Sequence, residues 1–384
     1  MRRWLGIAAA TIAIMTAAAA TTAVQAAPLP VPGTGVVTGD DQPAYSWNDQ
    51  YQSVVVHFPS RRSGAVLAGT LYGPKNLARL GRVPAVVAIP PSGGVGNQGS
   101  VAYEARSLAQ LGMIGLTVDP QGVGNSESLG DPACTGEPGR TNPSPCPNVP
   151  FQQMDNFFDA GQSALDFLLG HDEPWLGHVN RAEVGALGHS EGARAASYLQ
   201  DPHFDGRVHA VVALDNLSSD YYADQGAPSQ EGAGGSTGLQ NAIINGQPYG
   251  ALGASIPVTP VAPGLGLASD SSAGQPTDEK KAAYEVWRQH GVPSMELVLA
   301  GVNHLQFSQS ATADEDRLHR IATYTGAWFA WFFQHQPWAL RTLTARSVLG
   351  MPLSQYLSAN YRSGLFLPAQ HLDCEDFRTG CPAR

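Results

Sequence analysis

Gly188-His189-Ser190-Glu191-Gly192 sets a serine between two glycines, each two positions away. A serine hydroxyl becomes a nucleophile when it is lifted clear of its own backbone and paired with a base. A sharp strand-to-helix turn does the lifting, and its crowding demands small residues two before and two after the serine. The start of the following helix adds N–H groups and the positive end of the helix dipole for a developing oxyanion. Gly234-Gly235-Ser236-Thr237-Gly238 repeats the spacing. Context separates the two copies. Residues 183–187 before Ser190 read as a buried strand and residues 191–199 after it as a helix, whereas Ser236 lies in low-complexity sequence and reads as a plain loop residue.

Elements able to position such a turn are legible on both sides. Residues 53–58 and 65–72 read as an antiparallel hairpin around a turn at 60–64. From there the pattern alternates. Strands are expected at 83–89, 114–119, 183–187, 208–214, 261–268 and 295–300, and helices at 101–111, 152–169, 191–199, 278–290 and 314–334. The strand at 261–268 is a poor one, interrupted by Pro263 and two glycines. Alternation of this kind predicts an α/β fold: a mostly parallel central sheet with helices on both faces and an N-terminal antiparallel hairpin. One domain over 51–336 is expected, after an extended lead-in at 27–50. Segments near 120–150 and 216–260 are lid-like insertions, and 337–384 is a tail packed on the domain.

Composition bounds the function. Only 14% of the 384 residues are charged, 43% are hydrophobic, and the net charge is −10. That is too apolar for disorder and too acidic for a dedicated nucleic-acid binder. Arg2 and Arg3, an uncharged stretch over 5–20, and Val24-Gln25-Ala26 match a secretory signal peptide cleaved after residue 26. Cleavage removes two positive charges, so the mature chain is more acidic still. No later segment is apolar enough to span a bilayer, and a secreted protein is expected. An oxidising compartment makes disulfides the expected state of Cys134, Cys146, Cys374 and Cys381, with 134–146 and 374–381 as the close pairs among three possible connectivities.

With its Gly-His-Ser-x-Gly turn, the chain resembles the secreted serine esterases and lipases of the α/β-hydrolase superfamily over roughly residues 50–335. Asp119-Pro120-Gln121-Gly122-Val123-Gly124-Asn125-Ser126 is similar to the family's Asp-x-Arg-Gly-x-Gly-x-Ser turn. Pro90-Pro91-Ser92-Gly93-Gly94 stands where the family has its His-Gly oxyanion loop. The resemblance implies the chain order nucleophile, acid, base. His304 follows the last strand and a Gly301-Val302-Asn303 turn, and is the implied base. The other ten histidines precede the acid, sit in helices or tail, or, as with His189, belong to the turn itself. Asp270 matches the family's usual acid position. Asp215, at the end of an earlier strand, is an alternative that some members use, and Asp278 reads as a helix cap. Oxyanion donors are expected at the amide of Glu191 and, since Pro90 and Pro91 have no N–H, at Ser92 or Gly93.

The expected activity is hydrolysis of a small-molecule or lipid ester, without cofactor, metal or nucleic acid. A serine peptidase of the same fold and a non-catalytic binding protein are the alternatives. Gly94-Val95-Gly96-Asn97-Gln98-Gly99 has dinucleotide-site spacing, with Asp119 ending the next strand. Residues 90–93 separate it from its strand, which favours an oxyanion loop. Phe151, Phe157, Tyr221, Tyr222 and Tyr249 are candidates for an acyl pocket, against ordinary core or loop roles. The aromatic residues of 328–333 have the helical spacing of a core. Asn216-Leu217-Ser218 matches a glycosylation sequon.

Overall fold

Neighbouring residues of a strand face opposite sides of the sheet, so a strand buried on both sides must be apolar throughout. The central strands obey this. Val86, Ala88, Leu187, Val212 and Leu214 enter one core, while Val87, Ile89, Ala186, Val211 and Ala213 enter another. The structure, a computed structural model, describes residues 51–92, 96–127, 154–170, 173–215, 217–218, 243–244, 247–248, 258–270, 277–309, 314–345, 347–352 and 355–363.

Nine strands form one sheet: β1 (Tyr51–Pro59), β2 (Val66–Pro74), β3 (Val83–Ile89), β4 (Ile114–Val118), β5 (Val179–His189), β6 (Ala210–Leu214), β7 (Gly264–Ser269), β8 (Ser294–Leu299) and β9 (Leu357–Arg362). Their order is β1-β2-β4-β3-β5-β6-β7-β8-β9. The strands from β4 across to β8 run parallel. At one edge β1 pairs antiparallel with β2, and β2 with β4; at the other, β9 runs antiparallel to β8. This is a mixed, mostly parallel α/β sheet.

Helices cover both faces. Phe157 and Leu165 of α2 (Met154–Leu168), Ala195 and Leu199 of α3 (Glu191–Leu199) and Trp287 of α4 (Thr277–Gln289) pack into one core. Leu108 of α1 (Ala102–Gln110), Trp328 and Phe329 of α5 (Glu315–Phe332) and Leu340 of α6 (Pro337–Thr344) fill the other. Among the described residues no helix is long and apolar enough to cross a membrane.

Two elements differ from the sequence expectation. The weak strand at 261–268 is β7, fully inside the sheet between β6 and β8. Its glycines make it look weak, but the Trp287 ring lies 2.4 Å from where a Cβ on Gly264 would stand. The sheet also does not end at 336. Residues 357–362 of the supposed tail supply β9 and close the edge beside β8. Cys134, Cys146, Cys374 and Cys381, the expected signal segment and most of the two segments expected to be lid-like lie outside the described residues.

Glu104 on α1 is fully buried, and neither carboxyl oxygen has a side-chain or main-chain partner at hydrogen-bond geometry among the described residues. Burial disfavours the charged form and, only partly offset by its own main-chain N–H and by Arg106, pushes its pKa up to about 8. Between the ordinary carboxylate range and pH 8 the folded chain holds a proton that the unfolded chain has released. Stability should therefore fall as pH rises through this window, by at most roughly 1.4 kcal/mol per pH unit. Thermal melts at pH 5, 6.5 and 8 should show the loss, and Glu104→Gln should flatten it; an unchanged slope in the variant would refute the assignment.

Candidate functional site

The site is built from the carboxyl ends of three parallel strands. β5 ends at His189, and α3 begins at Glu191. Ser190 alone makes the turn, with φ 55° and ψ −118°, a conformation that L-residues rarely adopt. A serine opening a helix ordinarily caps it with its hydroxyl. Here the side chain makes no cap hydrogen bond. Its Oγ instead lies 3.0 Å from Nε2 of His304.

The glycines are dictated by space. A Cβ on Gly188 would stand 1.9 Å from the carbonyl oxygen of Gly192, and one on Gly192 would stand 2.2 Å from that of Ile89. The second contact also packs the turn directly against the end of β3. The loop carrying Ser92 leaves from there, and Ser92 itself is half-buried. Glu191, the other expected oxyanion donor, opens α3 with its side chain buried and 3.6 Å from Arg194.

His304 begins a short 3-10 turn, His304–Phe307, after β8. Asn303 and Gln306 close that turn with a reciprocal capping box. The ring is bonded on both sides: Nε2 faces Ser190, and Nδ1 is hydrogen-bonded to Oδ2 of Asp215. The His304 side chain remains 35% exposed, whereas that of Asp215 is only 4% exposed. The imidazole is thus reachable from outside and its carboxylate partner is not.

The structure brings Ser190, His304 and Asp215 together, and not Asp270. Asp215 ends β6 with φ 76°, a left-handed conformation that aspartate tolerates better than most residues. Its N–H donates to Leu267 O at 2.7 Å, and its Oδ1 accepts from Ser269 N at 2.7 Å. Asp270 holds the turn before the histidine. Its Oδ2 accepts from Gly301 N at 3.1 Å, and its N–H donates to Val302 O at 3.0 Å. The two aspartates are easily exchanged on paper because β6 and β7 are parallel neighbours with Leu214 opposite Leu267. Their following residues end side by side.

Asp119 has a role that motif reading missed. Its buried carboxylate accepts from the Gln98 backbone N–H at 2.6 Å, the Gln98 side-chain amide at 2.9 Å and Asn125 N at 3.0 Å. Gln98 Oε1 in turn accepts from Thr70 and Thr117. Burial raises the Asp119 pKa, and the bonds from Asn125 and Gln98 oppose that rise. This carboxylate, which in a dinucleotide site would meet a ribose, is engaged in anchoring the glycine-rich loop.

Of the acyl-pocket candidates, Phe157 is fully buried in the core, and Phe151, Tyr221, Tyr222 and Tyr249 lie outside the described residues, as do Ser236 and Asn216. Among the described residues no group of three or more His, Cys, Asp or Glu is placed to hold a metal ion. Chemically, a serine hydroxyl on a histidine oriented by a buried carboxylate is an activated nucleophile.

No protein-family model matches the chain, and no curated protein matches it.

The geometry separates the two aspartates experimentally. Asp215→Asn should slow covalent labelling of Ser190 by a fluorophosphonate by roughly 10³- to 10⁴-fold, through loss of the oriented tautomer. Asp270→Asn should slow it less than about tenfold, because the ring keeps its own partner. The reverse ranking, read from labelling time courses, would return the acid role to Asp270.

Proposed function

We propose that this chain is a serine hydrolase of the α/β-hydrolase fold that cleaves carboxylic esters. One observation carries the reading: Ser190 Oγ, both ring nitrogens of His304 and the buried Asp215 carboxylate form a continuous hydrogen-bonded chain at a strand-to-helix turn. The strand order, with an antiparallel pair leading into parallel strands and helices on both faces, supports the same fold.

In this mechanism Ser190 Oγ attacks the ester carbonyl carbon as its proton passes to Nε2 of His304. The carbonyl π electrons move to oxygen. The amides of Glu191 and Ser92 donate to that oxyanion. Collapse of the intermediate breaks the bond to the alcohol oxygen, which takes the proton from Nε2 and leaves. Water then attacks the acyl-enzyme, giving its proton to the same nitrogen. The second collapse returns Ser190 with its proton and releases the acid. Asp215 keeps its charge throughout; it fixes the tautomer and stabilises the imidazolium.

The proposal includes export through the signal segment, two disulfides and a small-molecule or lipid ester as substrate. The acidic, charge-poor composition fits no polyanionic partner.

Ser190→Ala should lower kcat on a p-nitrophenyl ester series by roughly 10⁴-fold or more. Undiminished turnover would sink the assignment. Matched ester and anilide substrates extend the test: faster anilide cleavage would make the protein a peptidase instead.

A further inference from the structure

His189 precedes the nucleophile and is fully buried. Its Nε2 lies 2.9 Å from the main-chain oxygen of His304, and its Nδ1 lies 2.8 Å from Ser308 Oγ. A carbonyl oxygen only accepts, so Nε2 carries the proton. In the neutral ring Nδ1 then accepts from the Ser308 hydroxyl. Its ring centroid is 5.0 Å from that of His304 and 5.7 Å from that of Phe307. The residue covalently next to the nucleophile is therefore hydrogen-bonded to the backbone of the base and to a side chain four positions further on.

This contact differs in kind from the others at the turn. The capping box of Asn303 and Gln306 shapes the turn internally. Asp270 ties Gly301 and Val302 to the end of β7. His189 ties the base to β5, the strand that presents Ser190. The nucleophile and the base lie 114 residues apart in sequence. Their 3.0 Å contact depends on two backbones keeping register, and His189 bridges those two backbones directly.

We propose that His189 is a positioning residue that sets the Ser190–His304 distance by holding the His304 carbonyl, and that Ser308 selects the His189 tautomer able to do so. The inference rests on the hydrolase reading above. Without the Ser308 hydroxyl, Nδ1 loses its donor and is free to take the ring proton. Nε2 would then turn a lone pair toward the carbonyl, and the bridge would fail.

The test compares His189→Leu, His189→Gln and Ser308→Ala in the full chain, with circular dichroism and thermal melts to confirm folding. Leucine removes the bridge; kcat on the p-nitrophenyl ester should fall roughly 10- to 100-fold with KM within about twofold. Glutamine can place an N–H near Nε2 and should recover most of that loss. Ser308→Ala, a small change, should lower kcat by about three- to tenfold with KM unchanged. Should the leucine variant not fold, the Ser308→Ala result decides alone. Wild-type kcat in a folded His189→Leu or in Ser308→Ala, even with a lowered melting temperature, would overturn the proposal by reducing His189 to a structural role. Turnover surviving in Ser190→Ala would instead overturn the hydrolase reading itself.

Discussion

One imidazole has to meet a hydroxyl and a carboxylate at once, and the arrangement of the sheet serves that demand. His304 hangs from the end of β8, Ser190 from β5 and Asp215 from β6. The strands are parallel, so all three residues emerge at the same, carboxyl end of the sheet. β7 stands between β6 and β8, and its last residues fill the gap. Ser269 donates to one oxygen of Asp215, leaving the other for His304. The next residue, Asp270, holds the turn that carries His304. A single strand end thus steadies both Asp215 and the turn carrying His304.

Much of this was readable before any coordinates. A Gly-x-Ser-x-Gly spacing is common, but a buried strand before it and a helix after it singled out Ser190 over Ser236. His304 followed from chain order and from a turn after the last parallel strand. Which aspartate meets His304 was not readable, because it turns on which of two adjacent strand ends curls back. That is decided by the left-handed backbone of Asp215 and its bond to Ser269, neither of which leaves a mark in spacing. β7 was underrated for a related reason. Propensity penalises glycine in a strand, yet Gly264 is required by the Trp287 ring pressed against it. β9 was missed although Leu357–Arg362 alternates apolar and polar residues; six such residues alone do not fix a partner, and the pairing with β8 is a tertiary event.

Roles that depend on side-chain direction were the hardest to foresee. Asp119 looked like half of a nucleotide fingerprint or part of a family turn. Its carboxylate in fact anchors Gln98, and through it the start of α1. His189 read only as a member of the serine turn, with no partner of its own assigned. It is buried, with its ring on the main-chain oxygen of His304 and not on the solvent. In both cases residue type and position were visible, while the partner lay on a different element, one strand away for Asp119 and three strands away for His189.

The backbone strain of the site falls on two of its three members. Ser190 and Asp215 are both non-glycine residues with positive φ, a conformation costing roughly 1–3 kcal/mol each. Such strain persists only where the surroundings leave no alternative. At Ser190 the surroundings are Gly192 against the Ile89 carbonyl and Gly188 against Gly192 itself. At Asp215 they are the N–H bond to Leu267 and the carboxylate bond to Ser269. Apart from the Gly188–Gly192 contact inside the turn, each constraint comes from a buried residue of a neighbouring strand: Ile89, Leu267 or Ser269. A parallel sheet buried on both faces therefore does more than bring three residues to one end. It supplies the rigid backbone contacts that let two of them keep conformations they would otherwise leave.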